Sequence, residues 1–332
     1  MPATGYEINP AAYAMSKFMA FANTPRDERA RLFRRVHEEV LRLAGTHIGL
    51  PLFEPAEKYR AQYSKLVDLA RHLFAAMEGK SEVLLALIVL MTAEANGRGD
   101  LASALHKACS SVRQDLYNLP FSDRKIDAAL CDARQTHTKC RGADLIITSP
   151  PYINVFNYHQ NYRALVEVLG FDLLKVAESE IGSNRKNRSN RFRTVVQYAL
   201  DMEQCLVSFS LTLKVGGQLI IVVGHESNVR GIPFSNSAIL REIADSLGCF
   251  RLEGERHRVF VNRFGKSIRE EILVVCSTGA APVEGTARHV AQGHLEGALQ
   301  HAAGEPRDDI EAALSEIATI STSPILTRKG LI

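Results

Sequence analysis

No apolar run in this chain is long enough to cross a bilayer: the longest, Val83 to Met91, is half of the ~20 residues a spanning helix needs and reads as a buried helix. The opening stretch MPATGYEINP lacks the basic segment and apolar core of a signal peptide. These absences predict a cytoplasmic protein with no membrane partner. The six cysteines include no CxxC pair and no histidine at ligand spacing, which argues against a metal site or a disulfide framework and predicts reduced, buried thiols. Strong charge is missing too. With 40 Lys and Arg against 37 Asp and Glu, the formal charge is +3, so any nucleic-acid surface must come from local clustering. No internal repeat is present.

What is present begins with length, since 332 residues can bury a substantial core. From 11 to 118 the chain reads as helices, with apolar residues at three- and four-residue spacing in RDERARLFRRVHEEVLRLA, EKYRAQYSKLVDLARHLFAAM and SEVLLALIVLMTAEA. The texture then changes. IDAALC and ADLIIT are short apolar runs, and QLIIVVG follows the Gly216-Gly217 turn; all three read as buried parallel strands. Helices are expected near 160–170, 194–213 and 236–247, and RHRVFVNRF with EEILVVCS reads as an antiparallel pair closing the sheet. The expected division is a catalytic α/β domain over 1–278, carrying a helical insertion at about 26–118, and a loosely attached tail over 279–332 that is partly helical or disordered.

In open α/β sheets, ligands sit beyond the carboxyl ends of the strands. Three strand ends offer suitable groups. In TGYEINP, Glu7 closes a strand and Asn9-Pro10 opens a helix, so the carboxylate can accept from two ribose hydroxyls. In ALCDA, Asp132 can accept from an exocyclic amine, although an acid at such a place is often a helix cap. After ADLIIT come Ser149, Pro150, Pro151 and Tyr152. Proline lacks a backbone donor but keeps its carbonyl, so this end projects a hydroxyl, unpaired carbonyl oxygens and a flat ring. Those groups suit a planar amine.

The residues Ser149-Pro150-Pro151-Tyr152 with Asn154, Tyr158 and LVEVLGF resemble the amino-group DNA methyltransferases that use S-adenosylmethionine, specifically the Ser-Pro-Pro-Tyr group acting on cytosine N4. GYEINPAAYAMSK resembles their second motif, CDAR their third and LKVGGQLIIVVG their fifth strand. The resemblance covers most of residues 3 to 278 and implies a Rossmann-like methyltransferase sheet, S-adenosylmethionine as cofactor and duplex DNA as partner. It implies that Ser149 and the Pro150 carbonyl hold the amine while Tyr152 stacks on an extruded base. Glu7, Asn9 and Asp132 would hold the nucleoside end of the cofactor. The stretch 184–193 has five basic side chains and no acid, so Arg185, Lys186, Arg188, Arg191 and Arg193 are candidate phosphate contacts, with Asn154 and Tyr158 near the base. Asn228 and Arg230, in GHESNVRGIPF, form a second DNA candidate. The chain lacks the Pro-Cys nucleophile expected for ring-carbon methylation.

Such enzymes also carry a glycine-rich turn after their first strand, and none stands before GYEINP here. NGRGD lies between helices and VGGQ precedes a strand, so neither replaces it. The first strand of the sheet is therefore expected to be missing, and an upstream polypeptide of about 50–100 residues, a βα unit with flanks, is the expected supplier. An adenine-N6 enzyme, a related RNA enzyme and a non-catalytic DNA-binding remnant are the competing readings.

Overall fold

The computed structural model describes residues 1–47, 59–95, 101–153, 162–182, 187, 189–262 and 265–326. They group into two units, the first within 1–131 and 158–176 and the second within 132–157 and 177–326.

In the first unit, strand β1 (Ala3–Glu7) leads into α1 (Pro10–Lys17), and helices α2 (Arg26–His47), α3 (Tyr59–Ala76), α4 (Lys80–Ala95) and α5 (Leu101–Asn118) follow before β2 (Ile126–Leu130). The apolar run starting at Val83 becomes α4. Its residues Leu84 to Leu90 are all buried, as expected for a helix apolar on every side, and they pack with Val36, Val40, Leu66, Leu69, Leu73 and Val112. The segment expected to be an insertion is thus the body of this unit. Strands β1 and β2 pair in parallel from Ala3↔Ile126 to Glu7↔Leu130. Polar stitches fix that pairing: Lys17 Nζ reaches Asp127 at 2.6 Å, and Asn23 donates to Ser122 and Arg124 carbonyls while accepting from Ile126 N. Buried Arg29 donates to the Leu116 and Leu119 carbonyls, filling acceptors that the end of α5 leaves open. The short helix α6 (Arg163–Val168) adds Leu165 and Val166 to the same core.

After α7 (Leu173–Ser179), the second unit is built on α8 (Arg193–Thr212), most of whose side chains are buried. Its sheet runs β3 (Ala143–Thr148), β4 (Leu213–Gly224), β8 (Ser267–Ser277), β7 (Phe250–Val261), with β3 parallel to β4 and the other two antiparallel. The fold is therefore mixed α/β, and the antiparallel pair closes the sheet. Strand β4 begins earlier than the Gly216-Gly217 turn suggests. Gly216 takes φ +76°, and a Cβ on Gly217 would lie 2.9 Å from the Ala143 carbonyl oxygen, so the glycines form a bulge inside the strand instead of a turn before it.

Helix α9 (Asn236–Leu247) starts on Ser235, whose side chain accepts from Ala238 N, and stops at Gly248 with φ +67°. Between β4 and α9 the chain makes a hairpin, β5 (Glu226–Val229) and β6 (Ile232–Ser235). Beyond β8, α10 (Ala287–Leu299) and α11 (Glu305–Ser315) bury Ala287, Val290, Ala291, Leu295, Ile310 and Ala313 in the unit's core. Glu203 of α8 caps α10, its Oε1 accepting from Thr286 N, Thr286 Oγ and Ala287 N. Among the described residues of the tail, α10 and α11 are thus packed on this core.

One strand is less well covered. β3 pairs only with β4 among the described residues, and its Leu145 and Ile147 are 37% and 66% exposed. No helix of the described residues is long and apolar enough to cross a membrane.

Candidate functional site

Strand β3 delivers Ser149 to an exposed position and Pro150 to a buried one. Neither proline can donate a hydrogen bond, so the first backbone N–H groups after Ser149 are those of Tyr152 and Ile153. Ile153 N donates to Asn236 Oδ1 at 3.2 Å. The Ser149 hydroxyl and the Pro150 carbonyl engage no partner among the described residues, which leaves both acceptors free for a bound amine.

Tyr152 is held from several sides. A Cβ at Gly224 would sit 2.8 Å from its ring, and one at Gly182 would sit 2.9 Å from its carbonyl oxygen, so both positions have room only for glycine. Its hydroxyl donates to Glu270 Oε1 at 3.3 Å, while Arg258 holds the other oxygen of Glu270 at 2.6 Å. Next to it, Glu271 Oε1 meets His225 Nδ1 at 2.7 Å and Arg269 Nε at 2.8 Å. Sequence reading singled out neither Asn236, Gly224, Glu270 nor His225. Only the strand end shared with Gly224 could have drawn attention to them.

Asp132 and its neighbours form a second polar cluster. Asp132 is 3% exposed and both of its oxygens are taken by Arg134, at 2.9 Å from Nε and 2.6 Å from Nη2. Arg134 also donates to Asp201 and to the carbonyls of Ser179, Ser323 and Pro324. Burial works against the Arg134 charge, and the Asp132 and Asp201 carboxylates more than offset it, so its pKa is raised. Asp201 itself is pushed up to about 6 by burial, against the pull of Arg134 and of Ser323, which donates through both N and Oγ. Burial likewise drives the Cys205 thiol upward. None of the six thiols forms a disulfide, and the described residues bring no three His, Cys, Asp or Glu together as a metal site.

In the first unit, Glu7 ends β1 and Asn9 caps α1, accepting from Ala11 N and Ala12 N. Glu7 Oε1 accepts from Ile8 N and Asn9 N at 2.8 Å each. Burial raises the Glu7 pKa and these two backbone donors oppose that rise. Its Oε2 has no donor among the described residues and can accept from a diol. S-adenosylmethionine is the cofactor these residues were expected to hold, and they fit it only in part. Glu7 offers an acceptor, the Asp132 carboxylate is committed to Arg134, and no described strand runs into a glycine-rich turn.

The expected DNA contacts divide likewise. Asn154, Tyr158, Arg185, Lys186 and Arg188 lie outside the described residues. Arg191 is exposed, whereas Arg193 pairs with Glu316 at 2.5 Å. Two asparagines of that stretch turn inward: Asn187 donates to Gln197 and Asn190 to the Asp309 carbonyl. Arg230 and Gly231 take φ +52° and +90° at the tip of the β5–β6 hairpin, a type I′ turn in which Asn228 Oδ1 accepts from Gly231 N. Left-handed backbone at an arginine costs roughly 1 kcal/mol or more. Ion pairs from Arg230 to Asp309 and to Glu305 of α11 offset that strain and occupy its charge.

No family model matches the chain. It is 25% identical over 137 residues to the type II methyltransferase M.MjaII of Methanocaldococcus jannaschii. That match takes in 40% of this chain and a quarter of the relative's length, so it is a distant, partial similarity to a type II methyltransferase.

Proposed function

We propose that the chain is the catalytic-loop part of a site-specific DNA methyltransferase that transfers a methyl group from S-adenosylmethionine to the exocyclic N4 of cytosine. The observation carrying this reading is the end of β3, where the Ser149 hydroxyl and Pro150 carbonyl stand unengaged beside a clamped Tyr152. The amine of cytosine is a poor nucleophile because its lone pair is delocalised into the ring. Two acceptors on its N–H groups favour a more tetrahedral nitrogen and localise that pair. Tyr152, partly exposed, would stack on the base once it has left the duplex. Positioning and electrostatics then carry catalysis, with no covalent enzyme intermediate.

The methyl donor would be held jointly. Glu7 Oε2 accepts from its diol, and a further polypeptide segment supplies the glycine-rich turn. Two features support such a segment: among the described residues the β1–β2 pair has only two strands, and β3 keeps an open edge with Leu145 and Ile147 uncovered. Parallel sheets are normally covered on both faces, and an open apolar edge is a template for another strand.

The test is transfer of labelled methyl groups to mixed-sequence duplex DNA, by the chain alone and with that segment restored, followed by nucleoside analysis of the product. N4-methylcytosine formed by wild type and reduced about 100-fold in Ser149→Ala, the scale of losing one pre-aligned polar group, supports the reading. N6-methyladenine would reassign the base. A second reading, a DNA-binding remnant, is favoured by one observation, the closure of Asp132 on Arg134; DNA binding without cofactor binding in any combination would establish it.

A further inference from the structure

The loop that carries Ser149 to Tyr152 has few means of fixing itself. Two consecutive prolines remove donors, and β3 has already ended at Thr148. We propose that Asn236, the first residue of α9, is the positioning residue for this loop, setting where Ser149, Pro150 and Tyr152 stand relative to the end of β4. This inference rests on the methyl-transfer reading and adds to it a residue outside the motif.

Three contacts carry it. Asn236 Oδ1 accepts from Ile153 N at 3.2 Å and from Ser227 Oγ at 3.1 Å, while its Nδ2 donates to the Gly224 carbonyl at 3.0 Å. Two donors converge on one end of the amide and a carbonyl faces the other, so only one orientation of the group satisfies all three. The side chain is fully buried, where an unmet polar group is costly and a completed one is rigid. Gly224 closes the arrangement. Its carbonyl takes the Asn236 amide, and its missing side chain makes room for the Tyr152 ring. One amide thus ties the loop to the same residue that supports the ring.

The two neighbouring substitutions separate this role from general stability. Asn236→Asp keeps acceptors for Ile153 and Ser227 but sets a carboxylate against the Gly224 carbonyl. Asn236→Ala removes all three bonds. If the amide positions the loop, kcat falls about 100-fold in the alanine variant, the cost of a displacement near 1 Å, with KM for DNA almost unchanged and the aspartate variant between the two. A second readout needs no activity. The chain contains no tryptophan, so Tyr152→Trp introduces a single indole at the loop. Its quenching by acrylamide should rise when Asn236→Ala is added, and rise less with Ser227→Ala, which removes only one donor and serves if the alanine variant fails to fold.

Quenching that does not move with either substitution overturns the inference. So does a kcat that stays at the parent value in an active protein, or a loss confined to KM. If quenching moves while the parent transfers no methyl group in any combination, the anchoring of the loop stands and the methyl-transfer reading falls.

Discussion

The two units are held together by different physics. The first is an aliphatic core, with Leu66, Leu69, Leu73, Leu84, Leu85 and Ile88 fully buried and few polar groups among them. The second buries, besides its apolar cluster, Arg134, Asp132, Asp201, Gln197, Asn187, Ser323 and Asn236, each with specified partners. Aliphatic packing tolerates exchange of one shape for a similar one, whereas a buried polar network fails when one member is removed. The unit bearing the Ser-Pro-Pro-Tyr loop is the one whose geometry is specified atom by atom.

The largest way to break this contrast is Arg134→Met, which strands two buried carboxylates and should cost the second unit about 3–5 kcal/mol. Amide hydrogen exchange would show it, with protection lost in α8 and β4 and kept in α4. The converse experiment is Leu69→Ala in the first unit. A cavity at this fully buried site should cost about 2–4 kcal/mol, read as lost protection in α3 and α4 with α8 unchanged.

Acidity sharpens the comparison further. Asp201 holds its proton more tightly in the fold, with a pKa of about 6 against an ordinary 3.8. The folded second unit therefore gains stability as the pH falls through about 6 towards 4, and loses that gain as the pH rises again. Asp201→Asn should flatten this dependence in denaturant titrations at several pH values. A slope that survives the substitution would assign it elsewhere. The smallest effect is expected for Arg230→Ala, which removes partly exposed ion pairs and should lower stability by at most about 1 kcal/mol. A large loss of DNA affinity in that variant would mean that α11 releases Arg230 to DNA.

Elements whose apolar residues stand together were legible in the sequence. ADLIIT, α4 and α8 follow from composition and period alone, and Glu7 and Asn9 stand at the strand end and helix start read for them. Other features were not legible, for identifiable reasons. A weak helical period is readable where α11 stands, but α10 buries only a narrow stripe, Ala287, Val290, Ala291 and Leu295, which gives little contrast with the Gly and His around it. Gly216-Gly217 reads locally as a turn, and only the close approach of Ala143 makes it a bulge. Arg230 is committed to partners 75 and 79 residues away, and Asp132 to Arg134, whose other acceptors lie 45 to 190 residues along the chain. Asn236 carries no local signal at all, since a polar residue at a helix start has ordinary uses.

The Arg134 contacts also impose an order in time. Its acceptors at Ser323 and Pro324 lie 189 and 190 residues downstream. At ~5–20 residues per second, a ribosome takes on the order of 10–40 s to make that stretch, and throughout it the guanidinium lacks the two carbonyls that complete its burial. The burial of Arg134 is completed only once the chain has been made through Pro324, so the network that stiffens the second unit also ties its closure to a segment synthesised long after its centre.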